Sequence, residues 1–206
     1  SGNPAAGTRQ TDPNYNGINV YGDETTIDIR QVLGQILPPT SPFLAQPINV
    51  SRTGYLEKDI INPNTVNFKA TGALHYKITP RIEAIAAAYF GTGNSTYTGS
   101  DRYSLKDLKI AQYKFELNNK HWLLRAYTTQ ENAGQSFNAT VTTRLLNEAW
   151  KPSQTWYTQY ATTYLNAVSS GRPDAEAHTL ARAAADVGMP AAGSDQFKTL
   201  FNRVRS

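Results

Sequence analysis

Residues 65–79, TVNFKATGALHYKIT, alternate along their length between two kinds of side chain. Val66, Phe68, Ala70, Gly72, Leu74, Tyr76 and Ile78 are apolar or small. Thr65, Asn67, Lys69, Thr71, His75, Lys77 and Thr79 are polar, with Ala73 the exception. A period of two sends successive side chains to opposite sides of an extended backbone, so this stretch is a β-strand with two different surroundings. The apolar side needs either a protein core or lipid.

The alternation recurs downstream. IEAIAAAYF sets Ile82, Ala84, Ala86, Ala88 and Phe90 on one face, but Ile85, Ala87 and Tyr89 blur the pattern and a short helix competes. KIAQYKFEL opposes Ala111, Tyr113, Phe115 and Leu117 to Gln112, Lys114 and Glu116. HWLLRAYTTQ opposes Trp122, Leu124 and Ala126 to His121, Arg125 and Thr129, and SFNATVTTR adds Phe137, Ala139 and Val141 on one side. The connections at 79–81 and 118–120 are short, whereas 91–108, GTGNSTYTGSDRYSLKDL, reads as one long polar loop. Short turns at one end, a long loop at the other and strands of about ten residues are the pattern of outer-membrane barrels. A soluble β-sandwich also alternates, but its strands recur more evenly.

The flanks read differently. Residues 1–64 are rich in Asn, Pro, Gly and Thr, with turn signals at Asp12-Pro13, Asn16-Gly17, Pro38-Pro39 and Asn62-Pro63. They form a long loop region whose one periodic piece, ETTIDIRQVLGQIL, suggests a short helix bearing Ile29, Val32, Leu33 and Ile36. From 145 to 206 the period becomes helical. Tyr157, Tyr160, Ala161, Tyr164, Leu165 and Val168 share a face, Gly171 marks a stop, and Pro173 opens an Ala-rich helix ending at Gly188. Ser194 then caps a helix carrying Phe197, Leu200, Phe201 and Val204. The expected organisation is a loop region 1–64, strands over 65–144 and a three-helix module over 145–206.

Chemistry is sparse. There is no cysteine, which removes disulfides and thiol nucleophiles together. His75, His121 and His178 are too far apart for a metal-ligand spacing, and no nucleophile elbow, phosphate loop or dinucleotide fingerprint occurs. Asp23 and Glu24 are adjacent, with nothing to set them face to face as an acid–base pair. The expectation is a non-enzyme without cofactor or metal. A net charge of +4 without a run of like charges gives nucleic-acid binding little support. Asn49, Asn94 and Asn138 begin N-x-S/T triplets, a number that chance supplies in a chain so rich in Asn, Ser and Thr. No apolar run is long enough for a membrane-crossing helix. The first residues lack the apolar stretch of a signal peptide, so the protein is expected to be cytosolic or to have lost its N-terminus. Tyr97, Arg102 and Tyr103, in the 91–108 loop, are the candidate ligand-binding residues, because Tyr and Arg give large contact area with hydrogen bonding.

Three phrases carry a resemblance: GYLEKDIINPNTVNFKATGALHYKITPRIEAI, GTGNSTYTGSDRYSLKDLKIAQYKFEL and LLRAYTTQENAGQSFNAT. They look like the early barrel region of TonB-dependent outer-membrane receptors, most of all the large receptors of Bacteroidetes-type bacteria. AHTLARAAADVGMPAAGSDQFKTLFNRVR resembles the helical extracellular insertion of that group. The likeness runs over most of residues 15–206. It implies a mainly β fold: an antiparallel meander within a transmembrane β-barrel, with a small three-helix extracellular module. The family closes its barrel with 22 strands around an N-terminal plug and imports a siderophore, glycan or peptide. Its implied partners are the remainder of the receptor, an inner-membrane energy-coupling protein reached through the plug, membrane lipid and a surface lipoprotein. The chain departs from the family in having no plug, no energy-coupling motif and too few strands, so it is expected to be a fragment. The competing expectation is a soluble secreted or surface-exposed β-rich ligand-binding module.

Overall fold

The computed structural model describes Arg9 and residues 12–205, and the leading residues that bear on the signal-peptide reading lie largely outside these. The chain is a mixture of helix (31%) and antiparallel sheet (37%), which corrects the expectation of a mainly β protein. It divides into two compact units, residues 62–138 and the two flanks 1–61 and 139–206 taken together.

Residues 62–138 form one open antiparallel sheet. Its long strands are β5 (Asn67–Thr79), β6 (Ile82–Thr98), β7 (Arg102–Asn119) and β8 (Trp122–Asn132), paired in that order, with β9 (Phe137–Asn138) on the far part of β7. The meander and its short turns at 79–82 and 119–122 are as the alternation predicts. No closed barrel occurs among the described residues. One open alternative is decided for the strand, and two local readings are corrected. IEAIAAAYF is strand throughout: its alanines favour helix in isolation, but hydrogen-bond ladders to β5 on one side and β7 on the other override that preference. The 91–108 segment is not a loop. It is the outer half of a hairpin that turns only at Gly99–Asp101, with Thr98 opposite Arg102 and Tyr97 opposite Tyr103. Once Ile82–Gly93 is zipped, each further pair adds hydrogen bonds without closing a new loop, so its Gly and Asn are tolerated. A bulge between Gly93 and Ser95 breaks the register there. SFNATVTTR, finally, is strand only at Phe137–Asn138.

From Ala139 onward that last segment is helix α3 (Ala139–Trp150). It belongs to the second unit, with α4 (Ser153–Ser169), α5 (Asp174–Ala185) and α6 (Asp195–Arg203), so the helical part has one member more than expected. Residues 1–64 are likewise more structured than a loop. They supply β1 (Val20–Tyr21) paired with β4 (Tyr55–Leu56), β2 (Thr26–Asp28) paired with β3 (Asn49–Ser51), and the short helices α1 (Arg30–Leu33) and α2 (Glu57–Ile60). The helix expected over Glu24–Leu37 is thus one turn preceded by a strand, since Gly34 closes it as its C-cap.

The flanks share one core. Ile29, Leu33 and Val50 pack with Trp156, Tyr157, Tyr160, Ala161 and Tyr164 of α4 and with Ala177, Ala181 and Ala185 of α5. The alanines recur every fourth residue, so α5 offers a smooth stripe to the tyrosine face of α4. α4 ends where Gly171 takes φ +81°: Gly171 N–H donates to Val168 O and Arg172 N–H to Ala167 O, the paired bonds of a Schellman motif. Pro173 precedes α5 as its N-cap rather than opening it, and the Ser194 side chain accepts from Phe197 N–H at the start of α6. Phe197 packs edge-on against Tyr55 and stacks on Phe201.

Candidate functional site

The sheet has two chemically opposed faces, and the pairing register decides what lies on each. Leu74 stands opposite Ala86, which stands opposite Phe115, which stands opposite Ala126. The neighbouring rows on that face are Tyr76–Ala84–Leu117–Leu124 and Gly72–Ala88–Tyr113–Thr128. The apolar positions of all four strands therefore merge into one band. Along β6 it runs from Ile82 to Phe90, nine residues, beyond which Thr92 and Lys109 turn the face polar. Phe68, Leu74, Tyr76, Phe90, Tyr113, Phe115, Trp122 and Leu124 are 39–71% exposed. A band this size, left exposed among the described residues, is far from the scattered apolar residues of an ordinary protein surface. Of its aromatic residues, Tyr76 and Trp122 lie toward the short turns and Phe68, Phe90 and Tyr113 toward the hairpin, with Phe115 in the middle row.

The opposite face is mixed: Ile85, Ala87, Tyr89, Ile110, Leu123 and Tyr127 lie among polar side chains that pair with one another. Glu116 is held between Arg125, its cross-strand partner, and Lys114 at 3.2 Å. His75 Nδ1 lies 3.3 Å from Glu83 Oε1, and Gln112 donates to Thr129 across β7 and β8. Lys69 and Lys77 share this side by alternation.

Tyr97, Arg102 and Tyr103 come together at the hairpin tip. The tyrosines are cross-strand partners with ring centroids 6.1 Å apart, and Arg102 donates to Thr98 Oγ1. Sequence reasoning missed what holds the tip. Asn138, in β9, pairs with Tyr103, and its amide donates to Asp101 at 3.1 Å. Upstream, Gln135 N–H donates to Lys106 O and Lys106 N–H to Ser136 Oγ, so residues 134–138 run as a strap along the hairpin. Gly134 has φ +61°, and a Cβ there would collide with the Lys106 and Asp107 carbonyl oxygens. The available signal was Gly134 itself, a residue able to take this backbone at no steric cost.

In the flanking unit the polar residues are mostly internal. Arg182 lies over the Trp156 and Tyr160 rings, and Arg52 over Trp150 and Trp156, each at 5.5–5.7 Å. Burial lowers the pKa of both guanidiniums from its usual height, and it pushes the Tyr157 and Tyr160 hydroxyls up to about 12. Asp23 is fully buried, paired with Arg9 and accepting from Gly17 N–H, and burial holds its carboxyl above the usual range. His178 lies 2.9 Å from the Tyr160 hydroxyl and stacks on Tyr164, and burial lowers its pKa. Among the described residues no group of three or more His, Asp or Glu side chains is placed to hold a metal ion. No helix among them is long and apolar enough to cross a membrane, which leaves strands aside. Comparison of the chain with protein families, with curated proteins and with solved structures returns no match.

Proposed function

We propose that β5–β8 are part of the wall of a TonB-dependent receptor in a bacterial outer membrane, with the apolar band toward lipid and the mixed face toward the lumen. The observation that carries this reading is the band itself, four strands in register and nine residues tall along β6. A strand tilted by about 45° needs some 9–11 residues to cross the hydrocarbon layer. Aromatic residues toward both ends of the band suit the two membrane interfaces. A sheet with open edges cannot stand in lipid alone, so further strands of the receptor would complete the wall. In this reading the tight turns at 79–82 and 119–122 are periplasmic. The β6–β7 hairpin, the loop region and the helical module are extracellular, and Tyr97, Arg102 and Tyr103 meet the imported siderophore, glycan or peptide. An inner-membrane protein acting through the plug supplies the energy, and a surface lipoprotein is a further partner.

The test is site-directed labelling in intact cells of the native polypeptide. Single cysteines at Ser100 and Ser194 are expected to react with a membrane-impermeant maleimide, and one at Asn119 only after the outer membrane is opened. Equal labelling of all three overturns the topology. Recovery of the polypeptide from the soluble fraction without detergent would favour the soluble β-rich binding module instead.

A further inference from the structure

Helix α3 is built against the usual pattern. It buries Thr142, Thr143 and Asn147 while leaving Val141 50% and Leu145 47% exposed. Two of these buried polar groups have partners: Thr143 Oγ1 donates to Ala139 O, and the Asn147 amide donates to Gly22 O and Thr53 O. Val141 and Leu145, with Arg144 and Glu148, instead form one wall of a cavity of about 350 Å3 whose other side includes Gly22 and Thr25.

The charges on that wall differ in how far they are used. Glu148 is engaged: Oε2 accepts from Ser153 N–H, and Oε1 accepts from Ser153 Oγ and from Arg52 at 3.3 Å. Arg144 has no hydrogen-bond or ion-pair partner among the described residues. Glu24, whose charge reaches Arg144, is tied to Gly22 N–H at 2.9 Å, and burial pushes its carboxyl toward the neutral form. A cation without a hydrogen-bond or ion-pair partner among the described residues thus stands beside two exposed apolar side chains. The cavity's backbone offers no edge to an extended peptide, because Gly22 N–H, Gly22 O and Thr25 O are already bonded to Glu24, Asn147 and Tyr157.

We propose that this cavity binds a free small carboxylate with a short apolar tail, Arg144 taking the carboxylate and Val141 and Leu145 the tail. A guanidinium receives a carboxylate through two parallel hydrogen bonds, and a cavity of this size suits a small molecule. The site is independent of the membrane reading, since none of its residues belongs to the sheet.

Isothermal titration of the full chain in a non-ionic maltoside detergent tests it, with hexanoate, hexan-1-ol, hexylamine and acetyl-alanyl-leucine as probes. Hexanoate is expected to bind, hexan-1-ol more weakly and hexylamine not at all. Arg144→Gln should weaken hexanoate by about tenfold or more and leave hexan-1-ol unchanged. Because Arg144 is exposed and unpartnered, that variant should keep the parent thermal midpoint. Leu145→Ser should weaken hexanoate and hexan-1-ol together. Undiminished hexanoate binding in Arg144→Gln, hexylamine binding as tightly as hexanoate, or no binding by any probe overturns the proposal. Tighter binding of the acetyl-dipeptide than of hexanoate overturns the free acid as occupant and points to a polypeptide C-terminus.

Discussion

At Arg182 oxygens from distant parts of the chain converge on one guanidinium. Nη1 donates to Ser51 O and Thr53 Oγ1, and Nη2 donates to Pro13 O. Arg182→Met keeps the packing of the stem but strands these acceptors, so a loss of about 2–4 kcal/mol is expected in urea unfolding followed by tryptophan fluorescence. Arg182→Lys should lose less, because it keeps the charge. His178 makes a prediction in pH. Burial holds its folded-state pKa below the ordinary imidazole value, so the unfolded chain binds more protons as the pH falls through that region. The stability His178 contributes is present above about pH 6.5 and is lost as the pH falls through the folded value. The groups around it are Tyr160, Tyr164, Asp174, Arg182 and Asp12. Between pH 7.5 and 5.5 the thermal midpoint of the parent should fall more than that of His178→Gln. Parallel slopes would mean His178 does not titrate differently on folding.

At the scale of the element, the two long hairpins are stabilised in different ways. β5 and β6 pair in unbroken register from Asn67–Gly93 to Lys77–Glu83 and shift only beside the turn, and Gly72, on the apolar face, has nothing within 4 Å of a Cβ built there. The outer half of β6–β7 carries a bulge and depends on the 134–138 strap. Gly72→Ala should therefore leave stability nearly unchanged. Gly134→Ala should dislodge the strap, through both its positive φ and the collision with two carbonyl oxygens. The readout is amide hydrogen exchange. In Gly134→Ala the amides of Ser95–Leu105 should exchange faster while those of Ile82–Phe90 keep their protection. Uniform loss of protection would mean the sheet is one cooperative piece.

At the scale of the whole molecule, the core of the flanking unit draws on residues before Ile61 and after Ala139 and on none between. Residues 62–138 are in that sense an insertion. Replacing them with a flexible Gly/Ser linker should leave a protein that unfolds cooperatively without detergent and keeps the near-UV signal of buried Trp156 and Tyr160. Loss of that signal would show that the unit needs the sheet to fold. The halves of this core lie more than a hundred residues apart, as in the Tyr157 hydroxyl bonded to Thr25 O. Such a closure leaves no mark in local composition, which is why residues 1–64 read as a loop.

Several features were settled by the amino-acid order alone: the two-faced strands, the short turns, the tyrosine face of α4, the Gly171 stop and the Ser194 cap. All are local, because side-chain period, capping and glycine's access to positive φ depend on a few neighbouring residues. The meeting of Tyr97, Arg102 and Tyr103 was half legible: their proximity in sequence was visible, but not that a tight hairpin sets the two rings opposite each other. Helix α3 was illegible, because its buried stripe includes Thr142, Thr143 and Asn147, and for the last two the cost of burial is offset by hydrogen bonds that hydropathy does not register. The tertiary structure alone decided the length of the β6–β7 hairpin, the strap, the joining of the flanks and the exposed Val141–Leu145 wall. Each depends on which distant segment supplies the partner, and that follows from register and chain closure, which local pattern does not encode.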